Sequence, residues 1–195
     1  MHADIPKILL NPLRACLYLA ILLAVQGASL GSRQSGVNAI ISELKTVVSD
    51  LATFNATLNS FHGGLNGTLR AVQIQGQAQT LINDINKATA TVKITPSLGT
   101  TDSVVLVNNV VNLQTPIYST INNLISHKSA FQNAVLGVGS AGFLVKSDLN
   151  NLRIATANLG NAIVQRLVPD IQKLAPLVTG EINFHITRAI QAYSN

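Results

Sequence analysis

Several short stretches carry residue types that can do chemistry. Asn55-Ala56-Thr57 and Asn66-Gly67-Thr68 are N-x-T triplets, acceptors for an N-linked sugar in a chain that enters the secretory pathway. Gly137-Val138-Gly139-Ser140-Ala141-Gly142 matches the G-x-G-x-x-G spacing that cradles a dinucleotide pyrophosphate. That fingerprint needs a strand before it and a parallel sheet around it, whereas a helical pattern precedes this one, so the stretch reads as an interhelix turn. Ser140 is no nucleophile elbow, because Val138 occupies a position where G-x-S-x-G requires glycine. His62, His127 and His185 are far apart, and no H-E-x-x-H or Cys/His cluster accompanies them. Glu181 and His185 stand one helical turn apart, the spacing of a surface pair before that of an acid/base couple. Asp148 with Arg153, and Asp170 near a helix start, read equally as surface charges. These residues imply no catalytic site, no metal and no cofactor.

The N-terminus decides whether the sugar triplets matter. Lys7 and Arg14 precede the apolar run Ala15 to Val25, which gives way to Gly27-Ala28-Ser29. Eleven apolar residues are short of the roughly 20 needed to span a bilayer, so residues 1–27 read as a signal peptide rather than a transmembrane anchor. Val25 and Gly27 suit the −3 and −1 positions of cleavage. The remaining residues, 28–195, suit a single domain. The only cysteine, Cys16, falls in the removed segment, so an apolar core must hold the secreted chain without disulfides.

Removing Lys7, Arg14 and Asp4 from 13 basic and 8 acidic residues leaves 11 and 7, a net charge of +4. The basic residues are dispersed and not interleaved with aromatics, which gives nucleic-acid binding no support. Charged residues make up only 11% of the chain, against about 25% in ordinary proteins, so the surface is weakly hydrated and meets apolar interfaces at reduced desolvation cost.

The elements that would position these residues follow from hydrophobic period. Val37, Leu44, Leu51 and Leu58 alternate with Ile40, Val47, Phe54 and Phe61 in a four-heptad seam, with Ser35 as N-cap and Gly63-Gly64 as terminator. On this helix Asn55 falls beside the seam, where a sugar would collide with a neighbour; Asn66, in the glycine-rich turn, is the favoured acceptor. A second helix carries Ala71, Ile74, Ala78, Leu81, Ile85, Ala88 and Val92, with Gly76 as a soft spot, and stops before Thr95-Pro96. The third has three apolar rows: Val104, Val111, Tyr118 and Ile125; Val110, Ile117, Leu124 and Phe131; Val107 and Ile121. Pro116 should kink it, and Thr100 or Thr101 should cap it. A fourth helix (Val145, Leu149, Leu152, Leu159, Ile163) follows the glycine turn. A fifth (Ile171 to Tyr193) is opened by Pro169 and interrupted by Pro176. The expectation is an all-α, up-and-down bundle of about five amphipathic helices with no strand.

LVKSDLNNLRIATANLGNAIV (Leu144 to Val164), the ending from Ala189 to Ser194, NKATA (Asn86 to Ala90), Pro116 and KSAF (Lys128 to Phe131) together resemble the fungal hydrophobic surface-binding protein A and cell-wall galactomannoprotein family. The resemblance covers residues 35 to 195. It implies a secreted, non-enzymatic helical protein that adsorbs to hydrophobic surfaces and can bring a secreted hydrolase such as a cutinase to them. Related wall mannoproteins bind fatty acids inside the bundle, which implies the alternative of a lipid carrier. The chain shows no Ser/Thr-rich stalk or hydrophobic tail after Tyr193 of the kind a GPI signal needs, an expectation of release rather than wall anchoring. Phe54, Leu81, Ile121, Leu152 and Ile163 are the candidate lining of an apolar pocket; each is also a plausible solid-core residue.

Overall fold

The computed structural model describes residues 34–64, 67–136 and 139–194, so the expected signal peptide, residues 1–27, and the favoured sugar acceptor Asn66 lie outside the described residues. Five long helices carry the fold: α1 Gln34–Asn59, α2 Thr68–Ile94, α3 Thr100–Ser126, α5 Ala141–Val164 and α7 Ala175–Ala192. Two short helices, α4 Lys128–Asn133 and α6 Pro169–Gln172, fill the connections.

All eight seam residues of α1 are buried. Ser35 lies within the helix rather than capping it. The chain then turns at Gly63 and Gly64, both at φ +73°, in the left-handed region that favours glycine. Gly63 is also sterically required, because a Cβ there would sit 2.6 Å from the backbone oxygen of Ala130. Helix α2 stops at Thr95, whose extended backbone (ψ 132°) is the conformation a residue before proline prefers. Pro116 lies inside α3, which remains one helix, and α3 starts after Gly99 without a side-chain cap.

Two expectations are corrected. The run expected from Ile171 to Tyr193 is split between Gln172 and Ala175, and Pro176 stands not inside a helix but in the first turn of α7, where a missing N–H costs nothing because no intrahelical acceptor exists there. The glycine-rich stretch is not a plain turn: Val135–Leu136 (β1) pairs antiparallel with Gly139–Ser140 (β2), and Gly142 is buried within α5. Two antiparallel strands of two residues supply no parallel sheet for a dinucleotide.

Interhelical bonds fix the directions. The Glu43–Lys87 ion pair joins the start of α1 to the end of α2, which run antiparallel. Asn123, near the end of α3, donates to Asn55 and Asn59 near the end of α1, so those helices are parallel. Arg166, just beyond α5, donates to the carbonyls of Val92 and Lys93 at the end of α2, another parallel pair. Consecutive long helices thus alternate up and down, as expected, but they are not always neighbours. The closely packed pairs are α1·α2, α2·α5, α5·α7, α7·α3 and α3·α1, which close into a ring. With axes about 9 Å apart, the centre of a five-membered ring lies roughly 8 Å from each axis, beyond the about 5–6 Å that a side-chain-clad helix reaches. Such a ring is filled only if large side chains point to its axis from every wall.

Candidate apolar chamber

One end of the ring is closed by aromatics. Phe61 and Phe131 stand 4.5 Å apart, Tyr193 meets Phe131 edge-on, and the buried Tyr193 hydroxyl donates to the Leu124 carbonyl at 2.7 Å. Burial pushes the Tyr193 pKa upward, in keeping with a phenol locked as donor.

Below this cap the centre is hollow. A cavity of about 440 Å³, partly open to solvent, lies between α3, α5 and α7 and reaches α1 and α2 at its back. A second of about 90 Å³ extends toward the aromatic end, and a third of about 60 Å³ lies toward α6. The first two share the walls Val47, Ile85, Ile117, Thr156, Ile182 and Ile186, and the first and third share Val110, Gly160, Ile163 and Thr179, so the three are adjacent lobes around the ring's interior, together the chamber. Its largest lobe falls in the range of roughly 300–1,000 Å³ typical of ligand pockets. The walls between α5 and α7 are built from small residues, Ala157, Gly160, Thr179 and Gly180. Gly160 faces Thr179 so closely that an added Cβ would come within 3.1 Å of the threonine methyl.

Phe54, Leu81, Ile121 and Leu152 line the lobe toward the aromatic cap, and Ile163 lines the other two. Sequence reasoning missed the junction residues Ile117, Thr156, Ile182 and Ile186. It also missed a row of α3 that is buried throughout, Leu106, Leu113 and Thr120; of the rows expected to be core, Ile121, Leu124 and Phe131 are buried and the rest half-buried. The available signal was the concentration of small residues at 157–160 and 179–180, which leave volume unfilled.

The polar residues named from sequence are scattered. Asp148 accepts a hydrogen bond from Gln79 at 2.6 Å, not from Arg153, and burial raises its pKa while the Gln79 bond partly offsets the rise. Asp170 pairs with Lys173. Asn55 is half-buried, its amide oxygen held by Asn123 at 2.7 Å. His62 is exposed, His127 contacts the Asn123 carbonyl, and among the described residues no three His, Cys, Asp or Glu side chains gather as metal ligands. His185 Nε2 lies 3.9 Å from Glu181, and its ring stacks on Tyr118 with centroids 3.9 Å apart. Burial and Arg188 lower the His185 pKa against the opposing pull of Glu181, and burial with Glu181 pushes Tyr118 up to about 12. At neutral pH the stack is therefore an uncharged seam between α3 and α7, reinforced by the Arg188–Asn122 hydrogen bond. Among the described residues no helix is long and apolar enough to cross a membrane.

The profile of the family described as hydrophobic surface binding protein A matches residues 37–165. Cell wall mannoprotein 1 of Aspergillus fumigatus is 29% identical over 122 residues, 63% of this chain and 41% of that protein. Cell wall mannoprotein 1 of Aspergillus flavus is 26% identical over 63% of this chain and 43% of its own length. The chain thus spans about two fifths of the curated relatives it matches. Among solved structures, Afmp4p in complex with palmitic acid superposes with a TM-score of 0.74 at 28% identity, over 80% of this chain and 99% of that one. Ligand binding domain 1 of the Penicillium marneffei MP1 protein, complexed with arachidonic acids, gives a TM-score of 0.74 at 19% identity over 82% and 99%, a likeness of fold.

Proposed function

Given that the chain belongs to the hydrophobic surface binding protein A family, we propose that it is a non-enzymatic carrier that encloses a long-chain fatty acid within its helical ring. The observation that carries this reading is the apolar chamber with its lobe of about 440 Å³. The lobe is partly open, so a ligand replaces water against apolar walls rather than filling a dry void. An acyl chain returns about 0.8 kcal/mol for each buried methylene, which makes occupancy favourable. The likeness to Afmp4p, solved with palmitic acid, supports the same ligand class. Phe54, Leu81, Ile121, Leu152 and Ile163 are, on this reading, contact residues for the chain.

Thr156→Leu provides the test. Thr156 stands at the junction of the two larger lobes, and its hydroxyl has no hydrogen-bond partner among the described residues. Native mass spectrometry with added palmitate should show the wild type gaining one or more acyl masses, and Thr156→Leu losing most of that occupancy while remaining folded. A wild type that gains none excludes the carrier.

A second reading, adsorption of the closed bundle to apolar surfaces, is favoured by large side chains left in water: Leu69 is 83% exposed, Ile94 84%, Phe143 74% and Phe184 62%. Tensiometry on an apolar film against a charged film checks it, with equal adsorption to both as the negative result. No observation on the molecule identifies a hydrolase partner. The carrier reading includes an extracellular or wall-associated location, in line with the mannoprotein relatives, removal of residues 1–27, and a sugar at Asn66 rather than at Asn55, whose amide Asn123 engages.

A further inference from the structure

We propose that Arg153 receives the carboxylate of the acyl ligand at the α5/α7 rim, so that the head group sits at the surface and the chain runs into the apolar interior of the largest lobe. This inference rests on the fatty-acid reading above and gives that ligand an orientation.

The chamber walls carry almost no charge. Among the residues lining its three lobes, Arg153 is the one cation and Asp148 the one anion. They line different lobes. Asp148 lines the lobe between α2 and α5 and is tied to Gln79 of α2. Arg153 lines the largest lobe, together with Asn183 of α7. The contact of Gly160 with Thr179 sets the antiparallel register of these two helices and places Arg153 about one turn from the level of Asn183. A guanidinium and a primary amide at one rim offer donors suited to a carboxylate, the first in a planar fork. Arg153 has no hydrogen-bond or ion-pair partner among the described residues, so its donors are free for a ligand.

The opposite orientation is electrostatically poorer. A carboxylate, ionised above the ordinary range of about 4, would meet the Asp148 carboxyl in the other lobe and leave Arg153 beside methylenes. Arginine here selects for an ionised acid over an uncharged lipid of the same length.

The test compares palmitate with methyl palmitate in competition against an uncharged apolar fluorescent dye at pH 7.5. The variants are Arg153→Gln and Arg153→Lys, each checked for an unchanged melting temperature. Arg153→Gln should weaken palmitate about tenfold, the lower end of what a charge-assisted hydrogen bond contributes, because the side chain is exposed. Methyl palmitate should be unaffected, and Arg153→Lys should restore part of the palmitate affinity. Arg153→Gln acting equally on both ligands, or on neither, overturns the proposal while leaving the carrier intact. A wild type that binds neither ligand removes the carrier reading and this inference together.

Discussion

The wall formed by α1, α2 and the first half of α3 and the wall formed by α5 and α7 face each other across the same ring, yet they are filled differently. Ile40 and Leu58 on α1, Ala88 and Val92 on α2 and Leu106 on α3 are sealed to 2% exposure or less. Opposite them, α5 and α7 present Ala157, Gly160, Thr179 and Gly180 to the interior, and the largest void lies against these small side chains. The seam of α1 is buried along its length, and its Leu44, Val47, Leu51 and Phe54 form the back of the chamber. The α7 wall buries Val178, Ile182, Ile186 and Ala189 and is pinned at its end by Tyr193, but between those points it leaves volume. The two walls of one domain are thus packed to different degrees.

Truncation on each wall is the strongest way to break that contrast. Leu106→Ala, in the sealed wall, should cost about 3–4 kcal/mol, whereas Ile182→Ala, whose side chain already borders the void, should cost about 2 kcal/mol. Urea unfolding measures both, and equal losses would mean that the α7 wall is as tightly packed as its opposite. The pin is the next target. Tyr193→Phe removes the hydroxyl that donates to Leu124 and should cost about 1 kcal/mol. Amide exchange should then rise at the end of α7 more than in α1; uniform acceleration would show that the two walls open together.

The smallest effect sharpens the electrostatic side. Asp148 has its pKa raised above 3.8 in the fold, so the folded chain holds that proton more firmly than the unfolded chain does. The favourable contribution is complete below pH 3.8 and is lost as the pH rises through the higher folded value. Asp148→Asn keeps an acceptor for Gln79 and should raise the melting temperature at pH 7 by about 1–2 °C, a small gain because the carboxyl is half in solvent. The gain should fade toward pH 3. A gain that persists there would assign the effect to something other than charge.

How much of this could be read from the chain depended on whether one helix or several determined the feature. The α1 seam is a property of one helix, and seven of its eight residues stand on that helix where the heptads put them; the helix ends at Asn59, and Phe61 is buried just beyond it. The buried row of α3 was hidden because Thr120 continues Leu106 and Leu113 as a polar residue, while the richer valine and isoleucine rows are mostly half-buried. Ring order is a property of five helices together, and periodicity carries no information about which partner a face meets. The β1–β2 hairpin, at two residues per strand, is too short to show a period. Arg153 reads as half of a surface pair with Asp148, but five residues turn the two about 140° apart on a helix, toward different neighbours. The candidate lining residues were legible as apolar positions, yet only the assembled walls reveal the space beside them. Periodicity supplied the bundle and family resemblance the ligand class, and the apolar chamber with the fatty-acid-bound neighbour favours the carrier over the surface-adsorption reading that the sequence favoured.

A crystal structure of the protein grown with palmitate tests the central claim most directly. The account predicts acyl density running from the α5/α7 rim into the largest lobe, alongside Ile117, Ile163 and Ile182, with the protein backbone of the sealed wall unmoved. An empty interior, with palmitate found only against outward-facing residues such as Phe143 or Ile94, would contradict it.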